Sequence, residues 1–225
     1  MLYKLKPNIL KTSYTLLKTQ VFYYSKLRVA IIGQSTFASE VYKTLRHRGH
    51  NVVGVFTIAD KGNREDPLAE SAAKDNIPVF KVKSWRKDGK AVSEIVDKYK
   101  EIKADLNVLP FCSQFIPMDV INFPVHKSIC YHPSILPKHR GVNSINWTLI
   151  QGDSEGGFSI FWADEGLDTG PILLQQKCTV DENETVDTIY KRFMYPNGIK
   201  AMADAVDMVA NGTAPKIAQI KEGAS

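Results

Sequence analysis

Acidic residues are missing from the first 39 positions: Glu40 is the first, while Lys4, Lys6, Lys11, Lys18, Lys26 and Arg28 all precede it. The formal net charge of +5 therefore belongs to the leader, because the rest of the chain holds 23 basic against 24 acidic residues. So neutral a body lacks the basic surface that nucleic acid demands, and no nucleic-acid partner is expected. Cysteine is scarce as well. Cys112, Cys130 and Cys178 are odd in number and widely spaced, which argues against a disulfide framework and for free thiols in a reducing compartment. No stretch approaches the roughly 20 uncharged apolar residues of a membrane span, so no membrane partner is expected either.

Two further patterns are lacking. The turn after the first apolar run, "GQSTFASE" from Gly33, has Gln, Ser and Phe where a dinucleotide fingerprint needs glycines, so no NAD(P) site is expected there. Cys130, His132, His139 and Asp168 lie near one another in sequence but match no common zinc spacing. Cys130 and His132 would point the same way from one strand, with His139 beyond two prolines, and no metal is expected.

What is present is ordinary in bulk and specific in detail. With 44% hydrophobic and 24% charged residues, the chain can bury one sizeable core. Residues 1–26 combine lysine, hydroxyls and apolar side chains without any acid, the composition of an amphipathic mitochondrial presequence. Lysine in place of arginine, and Pro7, depart from that pattern and keep a cytoplasmic address as the alternative. From Leu27 onward, apolar runs alternate with helical spacings. "LRVAIIG", "NVVGVFTI", "IPVFKV", "ADLNVLPF" and "HKSICYH" read as buried strands; "TFASEVYKTLRHRGH", "PLAESAAKDN" and "VSEIVDKYKEI" read as helices between them. Such alternation predicts an α/β fold with a mainly parallel, twisted sheet and helices on both faces. After a short helix at 118–123 and another at 143–153, "GGFSIFWAD" and "GPILLQQKCTV" read as an antiparallel pair. A long closing helix is predicted over 184–212, followed by a polar tail.

His132 stands at the end of a predicted parallel strand, where open α/β sheets hold their ligands. Asp168 stands in the turn "GLDTG". If the two meet, the carboxylate would favour the imidazolium and raise a pKa that starts near 6.5, making an acid catalyst without a metal. A satisfied core histidine and a simple turn aspartate are the plainer readings of the same residues.

"YHPSILPKHRG" followed by "GLDTG" resembles the amino-terminal domain of the formyltransferase family, shared by methionyl-tRNA formyltransferase, glycinamide ribonucleotide formyltransferase and the hydrolase portion of 10-formyltetrahydrofolate dehydrogenase. "NVLPFCSQFIP", "INWTLI", "GFSIFWADEGLDTGPILLQ" and "GIKAMADAV" place the greatest likeness with the last, and the leader and "GPILLQ" with its mitochondrial form. The resemblance implies an incomplete Rossmann-like fold that takes 10-formyltetrahydrofolate as substrate and no dinucleotide. It makes His132 and Asp168 the catalytic pair, and puts Gln114, Phe115 and Ile116 in the folate pocket beside Ser134, Ile135, Leu136 and Pro137. It also implies a catalytic domain over 27–213, with 214–225 a linker toward a carboxy-terminal subdomain. In a longer enzyme it implies carrier and aldehyde-dehydrogenase domains. Cys130 departs from the transferases, which carry Asn at that place. The thiol is a poor donor to an oxyanion, and a small apolar strand residue is the preferred reading. A methionyl-tRNA formyltransferase and a folate-binding fragment without turnover are the rival expectations.

Overall fold

The structure, a computed structural model, describes residues 26–225 apart from 61, 63 and 221. The predicted presequence thus lies, but for Lys26, outside the described residues. In chain order the main elements are β1 (Arg28–Ile32), α1 (Ser35–His47), β2 (Asn51–Ile58), α2 (Pro67–Lys74), β3 (Val79–Val82), α3 (Ser93–Glu101), β4 (Leu106–Leu109), α4 (Met118–Ile121), β5 (Ser128–His132), α5 (Ser144–Ile150), β6 (Glu155–Trp162), β7 (Ile172–Thr179), α6 (Val186–Ile189) and α7 (Tyr195–Ala210).

The strands form one sheet in the order β3-β2-β1-β4-β5-β6-β7. The pairings from β3 through β5 are parallel, and the last two are antiparallel. The chain order reverses between β1 and β4, which opens a crevice beyond the carboxyl ends of the parallel strands. Period-two alternation sorts the core into two layers. Val29 and Ile31 pack with Phe37, Val41 and Leu45 of α1 and Met202, Ala205 and Val206 of α7. Ala30 and Ile32 pack on the other face with Trp85, Val96, Tyr99 and Val120. Both faces are covered, which is why the parallel strands read as unbroken apolar runs.

Two features escape the sequence pattern. A small antiparallel ribbon pairs Arg86–Lys87 with Lys90–Ala91 above the buried Trp85. The closing helix is interrupted by a π-helical turn over Tyr190–Met194. Pro196 has no N–H to offer the Arg192 carbonyl, and the Tyr195 N–H donates to the Tyr190 carbonyl in the π pattern. Among the described residues no helix is long and apolar enough to cross a membrane.

Candidate active site

His132 closes β5, and β5 pairs with β4 on one side and β6 on the other. The imidazole is buried, with 7% of the side chain exposed. Its Nε2–H donates to the His139 carbonyl at 2.7 Å, so Nδ1 is the nitrogen left for chemistry. That nitrogen lies 3.4 Å from Asp168 Oδ2. The two residues singled out in the sequence therefore do meet, across 36 positions of chain.

Both partners are held by the backbone of the loop that follows β5. The segment after β5 folds back through Ser134 Oγ, which donates to the Lys138 carbonyl at 2.6 Å. This return brings the His139 carbonyl over the imidazole and the Gly141 N–H to Asp168 Oδ2, 2.7 Å away. His139 itself is anchored by Asp153, 2.7 Å from its Nε2. Burial alone would raise the Asp153 pKa, but the hydrogen bond from His139 and the charge of Lys138 hold it below the ordinary carboxylate value. Asp168 sits in the β6–β7 turn with φ +54, a left-handed conformation that aspartate tolerates better than most residues. Asp164 braces that turn by accepting from Gly166 N–H at 3.1 Å and Thr169 Oγ1 at 2.8 Å. Gly170 closes it: a Cβ there would lie 1.7 Å from the Trp162 carbonyl oxygen, so the turn can return to β7 only through glycine.

The electrostatics reverse one expectation. Burial pushes the His132 pKa below its ordinary 6.5, outweighing Asp168 and the His139 carbonyl, which both favour the charged ring. The resting imidazole is neutral near pH 7, not cationic. Burial also raises the Cys130 thiol well above its ordinary value, with Cys112 and Asp168 adding to the shift. Cys130 is therefore a protonated, half-buried wall residue and no ready nucleophile.

The remaining sequence candidates surround this pair in different ways. Ile116 is buried in the cluster that Cys130 and Ala163 flank, and Leu136 is buried with Phe161 and Ile172 against the other side of Cys130. Phe115 is 73% exposed. Gln114 spends its amide on the carbonyls of Val82 and Lys83, at 3.0 and 3.2 Å. Ser134 is buried and Ser134 to Pro137 builds the loop: Ser159 Oγ donates to the Ser134 carbonyl at 2.7 Å and accepts the Leu136 N–H at 3.0 Å. Ile135 packs over Gly157 of β6. A cavity of about 240 Å³ opens beside the Asp168 turn, lined by Met118, Trp162, Ala163, Asp164, Glu165 and Lys216 among others. None of the seven proposed folate residues lines it.

The profile of the formyl transferase family matches residues 25–206. The chain belongs to that family. Among formyl transferase relatives, the mitochondrial 10-formyltetrahydrofolate dehydrogenase of Homo sapiens is 59% identical over 206 residues, 92% of this chain and 22% of that protein. The cytosolic 10-formyltetrahydrofolate dehydrogenase of Xenopus tropicalis is 60% identical over 199 residues, 88% of this chain and again 22% of the relative. The chain thus spans about a fifth of the length of these dehydrogenases. In fold, glycinamide ribonucleotide transformylase 1 from Symbiobacterium toebii superposes with a TM-score of 0.74 over 87% of this chain and 94% of its own, at 18% identity. The predicted α/β formyltransferase fold is therefore present, and the mixed sheet is the family's sheet.

The contacts that sequence reasoning missed are mostly backbone: the His139 carbonyl and the Gly141 N–H carry no side-chain signature. Ser159 and Gln175 did leave a trace, as polar residues inside the apolar strands "FSIFW" and "ILLQQ". Both are tied beneath the loop, Gln175 Nε2 donating to Ser159 Oγ and the Leu136 carbonyl at 2.8 Å each. Gln219, within the polar tail, was not foreseen at all.

Proposed function

We propose that this formyl transferase domain binds 10-formyltetrahydrofolate and removes its formyl group, releasing tetrahydrofolate and formate. The observation that carries the reading is the buried His132 Nδ1 facing Asp168 Oδ2 at 3.4 Å, at the carboxyl end of a strand beside the sheet's reversal point. With Nε2–H held by a carbonyl, the neutral ring and the carboxylate present two acceptors to one small space. That space suits a water donating to both. Water adds to the formyl carbon and its proton passes to His132 Nδ1. The proton then goes to N10 as the C–N10 bond breaks, leaving formic acid, which ionises. Asp168 aligns the water and stabilises the transient imidazolium. In this scheme Gln114, Phe115 and Ile116, with Ser134, Ile135, Leu136 and Pro137, wall the folate side of the site.

One feature favours a hydrolase-type member over the transferases, and a second bears on the cofactor. Cys130 stands where the transferases carry Asn and supplies no strong donor to the oxyanion that forms when a nucleophile adds to the formyl carbon. The first β-α turn is filled from within: Asp66 Oδ2 accepts the Ser35 N–H at 2.8 Å, the kind of amide that a phosphate or dinucleotide would otherwise take. This supports a site without NAD(P), and the chemistry above calls for no metal. In a longer enzyme the formyl group would pass instead to a carrier arm and an aldehyde-dehydrogenase domain. We read the acid-free leader as a mitochondrial presequence, testable by fusing residues 1–26 to a fluorescent protein; diffuse cytosolic signal would favour the cytoplasmic alternative.

The deciding assay incubates the chain with 10-formyltetrahydrofolate and follows formate and tetrahydrofolate, with methionyl-tRNA offered in parallel. Formate that vanishes in His132→Ala supports the reading. Formylated tRNA would transfer the assignment to the tRNA enzyme, and bound folate without product would make the chain a binding fragment.

A further inference from the structure

The polar tail after α7 does not leave the body of the molecule. Trp162 Nε1 donates to the Pro215 carbonyl at 2.8 Å, and Lys216 lies over the Trp162 ring, 4.7 Å from its centre. Ile217 then pairs with Ile172 at the start of β7, exchanging backbone hydrogen bonds of 2.7 and 3.0 Å. These contacts deliver Gln219 to the gap between the two loops that hold His132 and Asp168.

There the side-chain amide is fully used. Nε2 donates to the Asp168 carbonyl and the Gly170 carbonyl, both at 2.8 Å. Oε1 accepts from Arg140 Nη2 at 2.7 Å and Nε at 3.3 Å. Arg140 lies between His139, whose carbonyl fixes the imidazole, and Gly141, whose N–H fixes the Asp168 carboxylate. One amide therefore joins the loop that orients the histidine to the turn that presents the aspartate. The loops otherwise approach each other through Gly141 to Asp168 and the Leu167 side chain over Gly141.

We propose that Gln219 is a positioning residue that sets the separation of His132 and Asp168 by clamping their two loops together. The inference rests on the reading of that pair as catalytic. Its chemistry demands glutamine: a donor pair for two carbonyls on one side and an acceptor for a guanidinium on the other. Glutamate would keep Arg140 and set a charge against both carbonyls. Alanine would release all four contacts. A displacement of about 1 Å between reacting groups costs up to about 100-fold in rate.

The experiment measures kcat and KM for 10-formyltetrahydrofolate hydrolysis in the wild-type chain, Gln219→Ala and Gln219→Glu, together with the His132 imidazole titration by NMR in each. The clamp requires kcat to fall about 10- to 100-fold in both variants with KM within about threefold, as for a misaligned but still occupied site. It also requires the His132 midpoint to climb toward 6.5 as the loosened loops admit water. Wild-type kcat in both variants, with His132 titrating as before, would overturn it. A fall in KM affinity alone, with kcat and the titration unchanged, would overturn it equally. If the wild-type chain makes no product, the hydrolase reading fails by itself, and the His132 titration still decides whether Gln219 holds the pair.

Discussion

His132 has one nitrogen committed to a backbone carbonyl and one aimed at a carboxylate, so its two ring positions do different work. Replacing it with alanine should lower formyl release by about 10²- to 10⁴-fold, the range of a lost general base, with the circular dichroism spectrum unchanged. Asp168→Asn keeps the shape and the bond from Gly141 but loses the charge that stabilises the imidazolium, and kcat should fall about 10²-fold or more. The pH dependence follows from burial. A ring held neutral loses activity only when it is protonated, and its pKa in the fold is depressed below 6.5. The acid limb of kcat/KM should therefore fall at a midpoint below pH 6.5; a midpoint above it would show that Asp168, not burial, governs the ring. Stability carries the same sign. The unfolded chain binds the proton first as pH drops, so the stability that neutral His132 allows is complete above pH 6.5. It is lost progressively between that value and the lower folded pKa.

The β5–α5 loop is held in shape from below by strand residues, and Ser159 is the centre of that support. Its hydroxyl serves the Ser134 carbonyl, the Leu136 N–H and the Gln175 amide at once, in a position with no exposed surface. Ser159→Ala strands these groups without water and should cost about 2 kcal/mol in urea unfolding, with some loss of kcat through the loop above. This support also shows what a sequence can disclose. The strands were legible because strands buried on both faces write themselves as apolar runs, and His132 and Asp168 were legible as residue types whose chemistry suits their places. The contacts that fix the pair were not, since His139 and Gly141 contribute backbone atoms that any sequence would supply. Gln219 lies 51 residues from Asp168 in a segment without period, so nothing local to either residue announces the contact. The sign of the His132 shift needed the burial of the ring, a property of several elements packed together.

A parallel sheet has two unlike ends, and here they carry unlike tasks. The carboxyl ends bear His132, the flanking loops and the tail. Next to the amino end of β2, His50 accepts the Leu27 N–H at Nδ1, 3.4 Å away, and donates from Nε2 to Asp207 Oδ1 at 2.9 Å. Arg48, just past α1, reaches Asp207 and Asp204 of α7. This network fastens the last helix to the first β-α unit, across 157 positions between His50 and Asp207. The His50 side chain is only 1% exposed, so losing its carboxylate leaves a buried N–H without a partner. Asp207→Ala should cost about 2–3 kcal/mol of stability. Because the lesion lies at the end of the sheet opposite to His132 and Asp168, kcat at 25 °C should stay within about twofold of wild type while the urea midpoint falls. A large loss of kcat in a fully folded Asp207→Ala protein would mean that the docking of α7 reaches the site, and that stability and activity are not divided between the two ends.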